Sequence, residues 1–415
     1  MSINNWHRVL QMIVLIFAGE LVFSLPFHLA RFFRPSFLEL FNLSNTNLGD
    51  VFAVYGLTAM VSYFFGGLIA DKISARKLMT ISLLLTAFGG LYMSTFPNIL
   101  GMMMLYGYWG ITTIFLFWAA MLKATREWGG DYTQGKAFGL LDGGRGLLAS
   151  VVSALAILIF ANFLPSEINL AVTSQKLNGF RTVILFYSAL TAIAAILIWM
   201  FLPEPSITSN HKQNTNFNNL IKVLSNRMVW LHAAIIICAY STYKGLDNTA
   251  LYAYEVLGMN AVEAAKLFTY SSLARPIAAI LAGFLADRIA ASYVIFLAFF
   301  ILIFTYIGFM IFDGSASLVV FILINIFSTF FMVFAIRGIY FALVNEIKTP
   351  KNITGTTIGI VSFVGFTPDI FFGSISGRIL DANPGITGHQ NYFLFLTVIA
   401  LIGVITTWCL RKVNK

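Results

Sequence analysis

The sequence predicts an all-α membrane protein with twelve transmembrane helices, arranged as two pseudo-symmetric six-helix bundles. Three observations predict this fold class. Hydrophobic residues make up 59% and charged residues 10% of the 415-residue chain, whereas about 25% of the residues in an ordinary soluble domain are charged. Apolar stretches of roughly 20 residues, long enough to cross a bilayer as helices, recur along the chain. A short motif also appears once in each half.

Each apolar stretch is predicted to be helical, because lipid offers no hydrogen-bonding partners to backbone groups. Alternating ten-residue strands, typical of a transmembrane barrel, are not seen in the sequence. We interpret the first apolar run as a retained helix, because no cleavage-like site follows it. The predicted spans are about 10–33, 48–70, 78–96, 99–122, 136–161, 181–202, 229–254, 264–286, 293–312, 317–344, 354–378 and 391–410.

The basic residues predict the orientation of the chain. With both termini placed in the cytoplasm, sixteen Lys and Arg residues fall in cytoplasmic segments and six in outer segments. This bias follows the positive-inside rule. We therefore expect a multi-pass protein of the cytoplasmic (inner) membrane with both termini cytoplasmic. The net charge of +9 is then explained by topology, and no nucleic-acid partner is expected.

A polar stretch between the sixth and seventh spans predicts the domain boundary. Residues 203–227 are rich in proline, serine and asparagine, a composition typical of an exposed linker. This cytoplasmic linker separates an N-terminal six-helix bundle, residues 1–202, from a C-terminal six-helix bundle, residues 228–415.

The repeated motif ends an apolar run in each half. Residues 67–77 read Gly-Leu-Ile-Ala-Asp-Lys-Ile-Ser-Ala-Arg-Lys, and residues 283–292 read Gly-Phe-Leu-Ala-Asp-Arg-Ile-Ala-Ala-Ser. The two aspartates, Asp71 and Asp287, are 216 positions apart. The motif resembles the signature loop of the major facilitator superfamily, with Ala75 at the position of the loop's usual glycine.

The resemblance implies alternating access, in which two bundles rock about a central site. It also implies gating roles for Asp71, Arg76 and Lys77 in the first copy, and for Asp287 and Arg288 in the second. We expect the basic pair to contact acids or helix C-termini across the bundle interface. The alternative is a loop whose positive charges only set the topology.

Eight Asp, Glu, Lys or Arg residues lie well inside the predicted spans, away from the span ends, where each costs about 2.5 kcal/mol or more at mid-bilayer unless it is paired or hydrated. Spans three, six, nine and twelve carry none, and the resemblance places those spans at the lipid-facing periphery. The other spans are therefore expected to border a polar interior. The eight residues are Glu20, Asp142, Arg145, Lys244, Asp247, Arg275, Arg337 and Asp369.

The cations in this set predict an anion-binding site, because a guanidinium offers a planar donor fork suited to carboxylate or phosphate. Tyrosines of span seven can stack on a ligand or hydrogen-bond to it. The predicted substrate-binding residues are Arg275, Arg337, Lys244, Arg145, Tyr240 and Tyr243. The alternative is internal pairing of the two arginines with Asp369 and Glu20, or of Asp142 with Arg145 and Lys244 with Asp247, which are three residues apart on one helix.

Three carboxylates are the candidates for proton coupling: Glu20, Asp369 and Asp142. A low-dielectric cavity favours the protonated acid, and a bound anion or a nearby arginine changes that balance, which links the proton to the substrate. A uniporter or an exchanger needs no such acid. His28, near the outer end of span one, is interpreted as a packed or interfacial residue rather than a ligand.

Two further likenesses concern the branch within the superfamily. Span seven is distantly similar to the organophosphate–phosphate antiporters, although Thr242 stands where that branch has a phosphate-binding arginine. The chain more closely resembles poorly characterised bacterial permeases that have an acid-x-Gly-Arg-Gly segment in span five and an Asn-x-Thr-Gly opening to span eleven. Here those segments are residues 142–146 and residues 352–355.

Together these features predict a secondary active transporter of a small polar, anionic metabolite, either proton-coupled or exchanging. The alternatives are a facilitator or exporter of a neutral or zwitterionic solute, and a transporter-like receptor that moves nothing. No metal-ligand cluster, nucleotide loop or nucleophile–base constellation is seen in the sequence, so we expect neither an enzyme nor a cofactor or metal. The expected partners are a small-molecule substrate, protons in the coupled case and the lipid bilayer, with the protein as a monomer.

Overall fold

The computed structural model describes residues 3–130, 134–165, 172–204, 221, 223–312, 315–347 and 354–414. Most of the predicted linker, residues 205–220 and 222, and the start of the Asn-x-Thr-Gly segment lie outside the described residues. Within these ranges the chain is helical apart from short turns, and twelve long helices follow one another along it.

The first six helices, α1 to α6, overlap the segments that the sequence predicts. Helix α1 is Ile3–Leu21 with its continuation through Ser24–His28, Leu29–Phe32 and Arg34–Phe41. Helices α2 to α6 are Asn45–Lys72, Ala75–Met93, Ile99–Gly129, Gln134–Ala161 and Thr173–Phe201.

The last six helices, α7 to α12, repeat this order in the second half. Helix α7 is Arg227–Gly245 with its continuation to Glu255, and α8 is Ala261–Ile289. Helices α9 to α12 are Ala291–Ile311, Val319–Ala342 with Leu343–Glu346, Thr354–Gly365 with Pro368–Ala382, and Ile386–Asn414.

Eight of these helices are long and apolar enough to cross a membrane in one run, and the bent α1 makes nine. The remaining three helices, α2, α3 and α7, complete the set of twelve. Helices α3, α6, α9 and α12, which carry no charge in the predicted spans, leave large apolar side chains exposed, among them Phe88, Met200, Ile311 and Trp408. Such side chains are stable in contact with lipid.

The starts of α2 and α8 show the internal duplication at the level of helix capping. Ser44 and Asn47 form a capping box at the start of α2, and Asn260 and Glu263 form one at the start of α8. In each box the side chain and backbone of the two residues satisfy helix-end donors reciprocally. Ser44 and Asn260 are 216 positions apart, the same offset as the motif aspartates. The repeat therefore extends over the whole helix that precedes each motif.

Helix α1 is broken where the sequence places Pro26. Its segments Trp6–Leu21 and Ser24–Phe32 meet at an angle of 42°, and Ser24–His28 forms a π-helical turn. Proline removes a backbone donor and its ring crowds the preceding turn, so a helix bends or widens there. Helix α7 has a corresponding break, a 3₁₀ turn at Leu246–Asn248. The sequence analysis located both helices but neither break.

The chain divides into two compact units. The first unit is Met1–Ile207 with Gly258–Leu273, and the second is Thr208–Leu257 with Ala274–Lys415. In the first unit the Phe268 ring of α8 lies 4.9 Å from the Phe32 ring of α1, so the first part of α8 packs on α1.

Each unit has its own aromatic core. In the first, the Phe180 ring of α6 lies 6.0 Å from Phe33 and 5.9 Å from Phe160. In the second, the Phe309 and Phe393 rings are stacked with centroids 4.2 Å apart. Burial of large aromatic side chains dominates the packing energy of cores of this kind.

Candidate functional site

In the part of the chain that the structure describes, each unit has a buried ion pair that joins two of its helices. In the first unit Arg145 Nε of α5 donates to Glu20 Oε2 of α1 at 3.1 Å, and the Arg145 and Glu20 side chains are 10% and 6% exposed. His28 Nε2 lies 3.1 Å from the other carboxylate oxygen, Oε1, and its side chain is 3% exposed. These three residues are called the Glu20 cluster below.

Two glycines let α1 and α5 approach closely enough to form the Glu20 cluster. A Cβ on Gly19 would lie 2.9 Å from Met121 Sδ and 3.3 Å from Arg145 Cδ. A Cβ on Gly144 would lie 2.9 Å from Ile16 Cγ1. These distances are tighter than van der Waals contact, so a larger residue would push the helices apart. The small residue Gly144 therefore allows close contact between the two helices.

His28 reaches Glu20 across the break in α1. Eight residues of straight helix advance about 12 Å, which would separate the two side chains. The bend and the π-helical turn bring the imidazole back towards the carboxylate. The His28 ring also packs edge-on against Phe32 at 5.4 Å and Tyr187 at 5.9 Å. The sequence analysis interpreted His28 as a packed or interfacial residue, because spacing alone does not reveal a contact across a bend.

The second unit contains a pair of the same kind. Lys244 Nζ of α7 lies 2.9 Å from Asp369 Oδ1 of α11, with side chains 5% and 11% exposed. The Tyr240 hydroxyl donates to both Asp369 oxygens at 3.0 Å. These three residues are called the Asp369 cluster below. The buried carboxylate thus accepts from an ammonium and a phenol, which compensates its charge.

Aromatic rings extend the Asp369 cluster towards Arg337 of α10. The Tyr240 and Tyr243 rings are 5.8 Å apart, and Tyr240 meets Phe366 edge-on at 4.9 Å. The Arg337 guanidinium lies 3.8 Å from the centre of the Tyr243 ring, within the range of a cation–π contact. Because a stacked guanidinium keeps its N–H groups in one plane, this contact sets the direction of the Arg337 donors.

Both of these ion pairs join two helices, whereas the alternative pairs that the sequence left open lie within one helix. Arg145 contacts Glu20 of another helix, and Lys244 contacts Asp369 of another helix. Asp142 is half-buried on α5. Asp247 and Arg275 are buried in the second unit. The structure therefore brings Lys244, Tyr240, Tyr243, Arg337 and Asp369 into one group, and Glu20 and Arg145 into another.

The motif at the end of α2 has a contact of its own within the first unit. Arg76 Nη2 lies 2.7 Å from Glu204 Oε2, and Lys77 Nζ lies 2.8 Å from Glu204 Oε1. The Arg76 guanidinium also lies 4.7 Å from the Trp199 ring of α6. The acid that the basic pair contacts is thus at the end of α6. The expected partners of this basic pair across the bundle interface stay a prediction.

Glu204 is the acid whose charge this contact stabilises. The hydrogen bond from Lys77 and the charges of Lys77 and Arg76 lower the pKa of the Glu204 carboxyl below 4.5. The side chain of Asp71 lies outside what the structure describes. In the second copy of the motif, Asp287 and Arg288 are exposed near the end of α8.

Among the described residues, no group of three or more His, Cys, Asp or Glu side chains could hold a metal ion. These residues offer a pair of opposite charges inside each of the two helical units. A cation and an acid are paired in each, out of contact with bulk water. A twelve-helix chain with two such units has the architecture of a secondary transporter.

The sequence model of the Major Facilitator Superfamily matches residues 16–373, and the chain belongs to this superfamily. Two proteins of Escherichia coli K12 are similar over nearly the whole chain. The inner membrane protein YqcE is 26% identical over 100% of this chain and 97% of its own length. The inner membrane protein YihN is 28% identical over 96% of this chain and 94% of its own length.

Solved structures show the same fold at low identity. The nucleoside transporter NupG superposes with a TM-score of 0.76 at 14% identity, covering 97% of this chain and 99% of its own. An inward-facing bacterial homologue of the lysosomal transporter Spinster superposes with a TM-score of 0.74 at 14% identity, covering 99% of this chain and 98% of its own. The predicted superfamily and the twelve-helix all-α fold are thereby confirmed. The chain is a multi-pass membrane protein of a transporter family rather than of an enzyme family.

Proposed function

We propose that this protein is a secondary transporter that binds a small polar anion in its second unit and moves it by alternating access, coupled to protons or by exchange. The observation that carries the proposal is the position of Arg337. Its guanidinium is stacked on Tyr243 at 3.8 Å, on the same aromatic group that contains Tyr240 of the Asp369 cluster. An oriented donor fork beside a second cation, Lys244, suits a carboxylate or a phosphate.

The Asp369 cluster supplies a route for proton coupling. While Asp369 is ionised, its contact with Lys244 makes the pair neutral. A proton on Asp369 would leave the ammonium with net positive charge, to which an anion would bind more tightly. The bound anion would in turn favour that proton by the same free energy, because linkage between two binding sites is reciprocal. Glu20 and Asp142 are the other two candidate acids for proton coupling.

One observation favours a second candidate function. Both Arg145 and Lys244 already contact a carboxylate, and a neutral pair of opposite charges suits a zwitterion, whose carboxylate and ammonium can bind to the two members. A facilitator or exporter of a zwitterionic or neutral solute is therefore the rival proposal.

A thermal-shift screen of the purified protein separates these two proposals. The ligands are organic anions, phosphorylated metabolites, neutral sugars and amino acids, each at pH 6 and pH 8. We expect an anion to raise the unfolding temperature of the wild type, and the Arg337→Gln and Arg275→Gln variants to lose that rise. The matched control is Arg181→Gln, because the Arg181 guanidinium also contacts a ring, Phe96 at 5.5 Å, but is exposed in the first unit.

The result that would replace the anion proposal is stabilisation by neutral or zwitterionic ligands alone, or stabilisation by an anion that persists in both arginine variants. Uptake of the stabilising ligand into proteoliposomes then separates a transporter from a receptor. A ligand that stabilises the protein but does not cross the membrane would support the receptor.

We also propose that both termini are cytoplasmic and that residues 203–227 link the bundles 1–202 and 228–415. The charge bias of the loops supports this orientation. A protease site inserted after residue 212 should be cut in inside-out vesicles and protected in right-side-out vesicles. Cleavage only in right-side-out vesicles would reverse the orientation.

A further inference from the structure

We propose that His28 is a proton-binding residue of this protein, with Glu20 as its fixed counter-ion and Arg145 as the group that keeps Glu20 in place. The use of that proton in transport rests on the proposed proton coupling. Binding of the proton itself does not, since it can be measured without any substrate. The proposal changes the expected role of Glu20, from the carrier of the proton to the partner of the carrier.

The contacts of Glu20 explain why the imidazole rather than the carboxylate takes up the proton. Arginine does not release its proton in proteins, and Arg145 Nε is 3.1 Å from Glu20 Oε2. Neutralising Glu20 would therefore leave a buried guanidinium whose charge is no longer compensated, which is strongly unfavourable. A proton on His28 instead adds a positive charge directly beside an ionised carboxylate, at 3.1 Å. Of the three members of the cluster, His28 is the one whose charge can change at the smallest cost in free energy.

The described contacts also place two tyrosines of other helices near His28. From α6 the Tyr187 ring lies 5.9 Å away, and its hydroxyl finds no hydrogen-bond partner among the described residues. From α4 the Tyr106 hydroxyl donates to the Pro26 carbonyl at 2.8 Å. Both tyrosines are neutral at ordinary pH. The charged groups that the described contacts place in this region are Glu20 on α1, Arg145 on α5, which contacts Glu20, and the buried Arg34, whose charge acts on Tyr106.

The position of the contact links the proton to the shape of α1. Glu20 belongs to the straight segment and His28 to the π-helical turn beyond the 42° bend, so their contact spans the break. A proton on His28 adds the attraction of opposite charges to its contact with the ionised Glu20 carboxylate. Gain or loss of the proton therefore strengthens or weakens the contact that holds the two segments of α1 together.

The second unit has no equivalent imidazole beside its ion pair. The residue 224 positions after His28 is Tyr252, the same offset that separates Glu20 from Lys244. The Tyr252 hydroxyl has no hydrogen-bond partner among the described residues, and its ring meets His389 at 5.3 Å. A phenol does not take up a second proton near neutral pH. The imidazole that binds a proton beside a buried ion pair is thus assigned to the Glu20 cluster.

The experiment is a pH titration of the full chain in lipid nanodiscs, with ¹⁵N-labelled histidine followed by NMR. The chain has five histidines, and the His28 signal is identified by its absence in His28→Gln. We expect this signal to titrate between pH 5 and pH 9, and its midpoint to move by about one pH unit or more in Glu20→Gln, because an opposite charge at this distance shifts a titration by that amount. The variant Tyr187→Phe should leave the titration in place.

Two results would overturn the proposal: a His28 signal that does not change over this pH range, or a midpoint that Glu20→Gln leaves unchanged. A second readout, hydrogen exchange, uses the wild type alone, so the proposal can still be tested if a variant folds poorly. In that readout, hydrogen exchange of the peptide across residues 20–28 is compared, after correction for intrinsic rates, at pH 6 and pH 8. It should change at the bend, whereas an unchanged exchange pattern would contradict the link between the proton and α1.

His389 provides the matched control, because its Nε2 lies 2.9 Å from Glu255 Oε2 in the second unit, where Glu255 is 31% exposed. His389→Gln should leave the His28 titration and the exchange at the α1 bend unchanged; loss of either in this variant would contradict the proposal. The outcomes are also separable from those of the ligand screen. A titrating His28 without any stabilising anion would sink the proposed function and leave this inference standing, and the reverse result would do the opposite.

Discussion

The two units contain the same ion pair with acid and base exchanged. Glu20 and Lys244 are each the second-last residue of a 19-residue helical segment, Ile3–Leu21 and Arg227–Gly245. They are 224 positions apart, as are their partners Arg145 and Asp369. In the first unit α1 supplies the acid and α5 the base, whereas in the second unit α7 supplies the base and α11 the acid.

This exchange teaches that duplication preserved a neutral pair rather than particular residues. A buried pair remains tolerable as long as its two charges compensate each other, whichever helix carries which sign. What differs is the third group. The Glu20 carboxylate has an imidazole beside it, whereas the Asp369 carboxylate has a phenol. On the proposal made above, the third group of the first cluster can bind a proton, whereas the phenol of the second cluster cannot.

The largest expected effect comes from breaking the pair of the first unit. Arg145→Met leaves the Glu20 carboxylate buried without its guanidinium, and we expect a loss of about 3–5 kcal/mol in the free energy of unfolding. The measurement is unfolding in mixed micelles titrated with SDS. The double variant Glu20→Gln with Arg145→Met should regain part of the loss. If the double variant is as unstable as the single one, the pair does not act as a unit.

A smaller loss, about 1–3 kcal/mol, is expected from Lys244→Met in the second unit. Asp369 keeps two hydrogen bonds from the Tyr240 hydroxyl and is less buried than Glu20. The same SDS titration measures it. Combining Lys244→Met with Tyr240→Phe should raise the loss to that of Arg145→Met. A single-variant loss larger than that of Arg145→Met would reverse the comparison.

Glycine substitutions can test whether each ion pair depends on the close approach of two helices. Gly144→Ala would put a Cβ 2.9 Å from Ile16 Cγ1, and overpacking of this kind costs about 1–3 kcal/mol. The neighbouring Gly143 has open space around its Cβ position, so Gly143→Ala is the matched control and should be neutral or slightly stabilising. In the second unit Gly365 faces Ile236 and Gly359 has open space. Gly365→Ala and Gly359→Ala should repeat the same contrast, and equal effects within either pair would contradict it.

The smallest effect is expected at the exposed contact of Glu204 with Arg76 and Lys77, because water screens such pairs. The pKa of Glu204 is lowered below 4.5 in the folded protein. Its contribution to stability is therefore present above 4.5 and is lost as the pH falls through the lowered value. The difference in unfolding temperature between the wild type and Glu204→Gln should be small at pH 7 and vanish in acid. A difference that persists in acid would mean that the contact does not depend on the charge of Glu204.

The fold could be predicted from the sequence because its signals are local. Runs of about 20 apolar residues predict helices wherever they occur, and the repeat of the Asp71 motif at Asp287 indicated the duplication. The charged residues that form both clusters were also identified, since an ionisable group in an apolar run stands out by itself. The partner of each charged residue was not identified. Arg145 had Asp142 three residues away on its own helix, and nothing local favoured Glu20, 125 positions earlier.

The sequence by itself determined that this chain crosses the membrane as two related sets of helices with charges in their interior, because hydropathy and helix capping act over a few residues. Only the tertiary structure decided which charges meet. Those contacts depend on the rotation of one helix against another, on the glycine that lets α1 and α5 approach, and on the bend that turns His28 towards Glu20. Such angles result from packing over the whole unit, and no short segment of the chain encodes them.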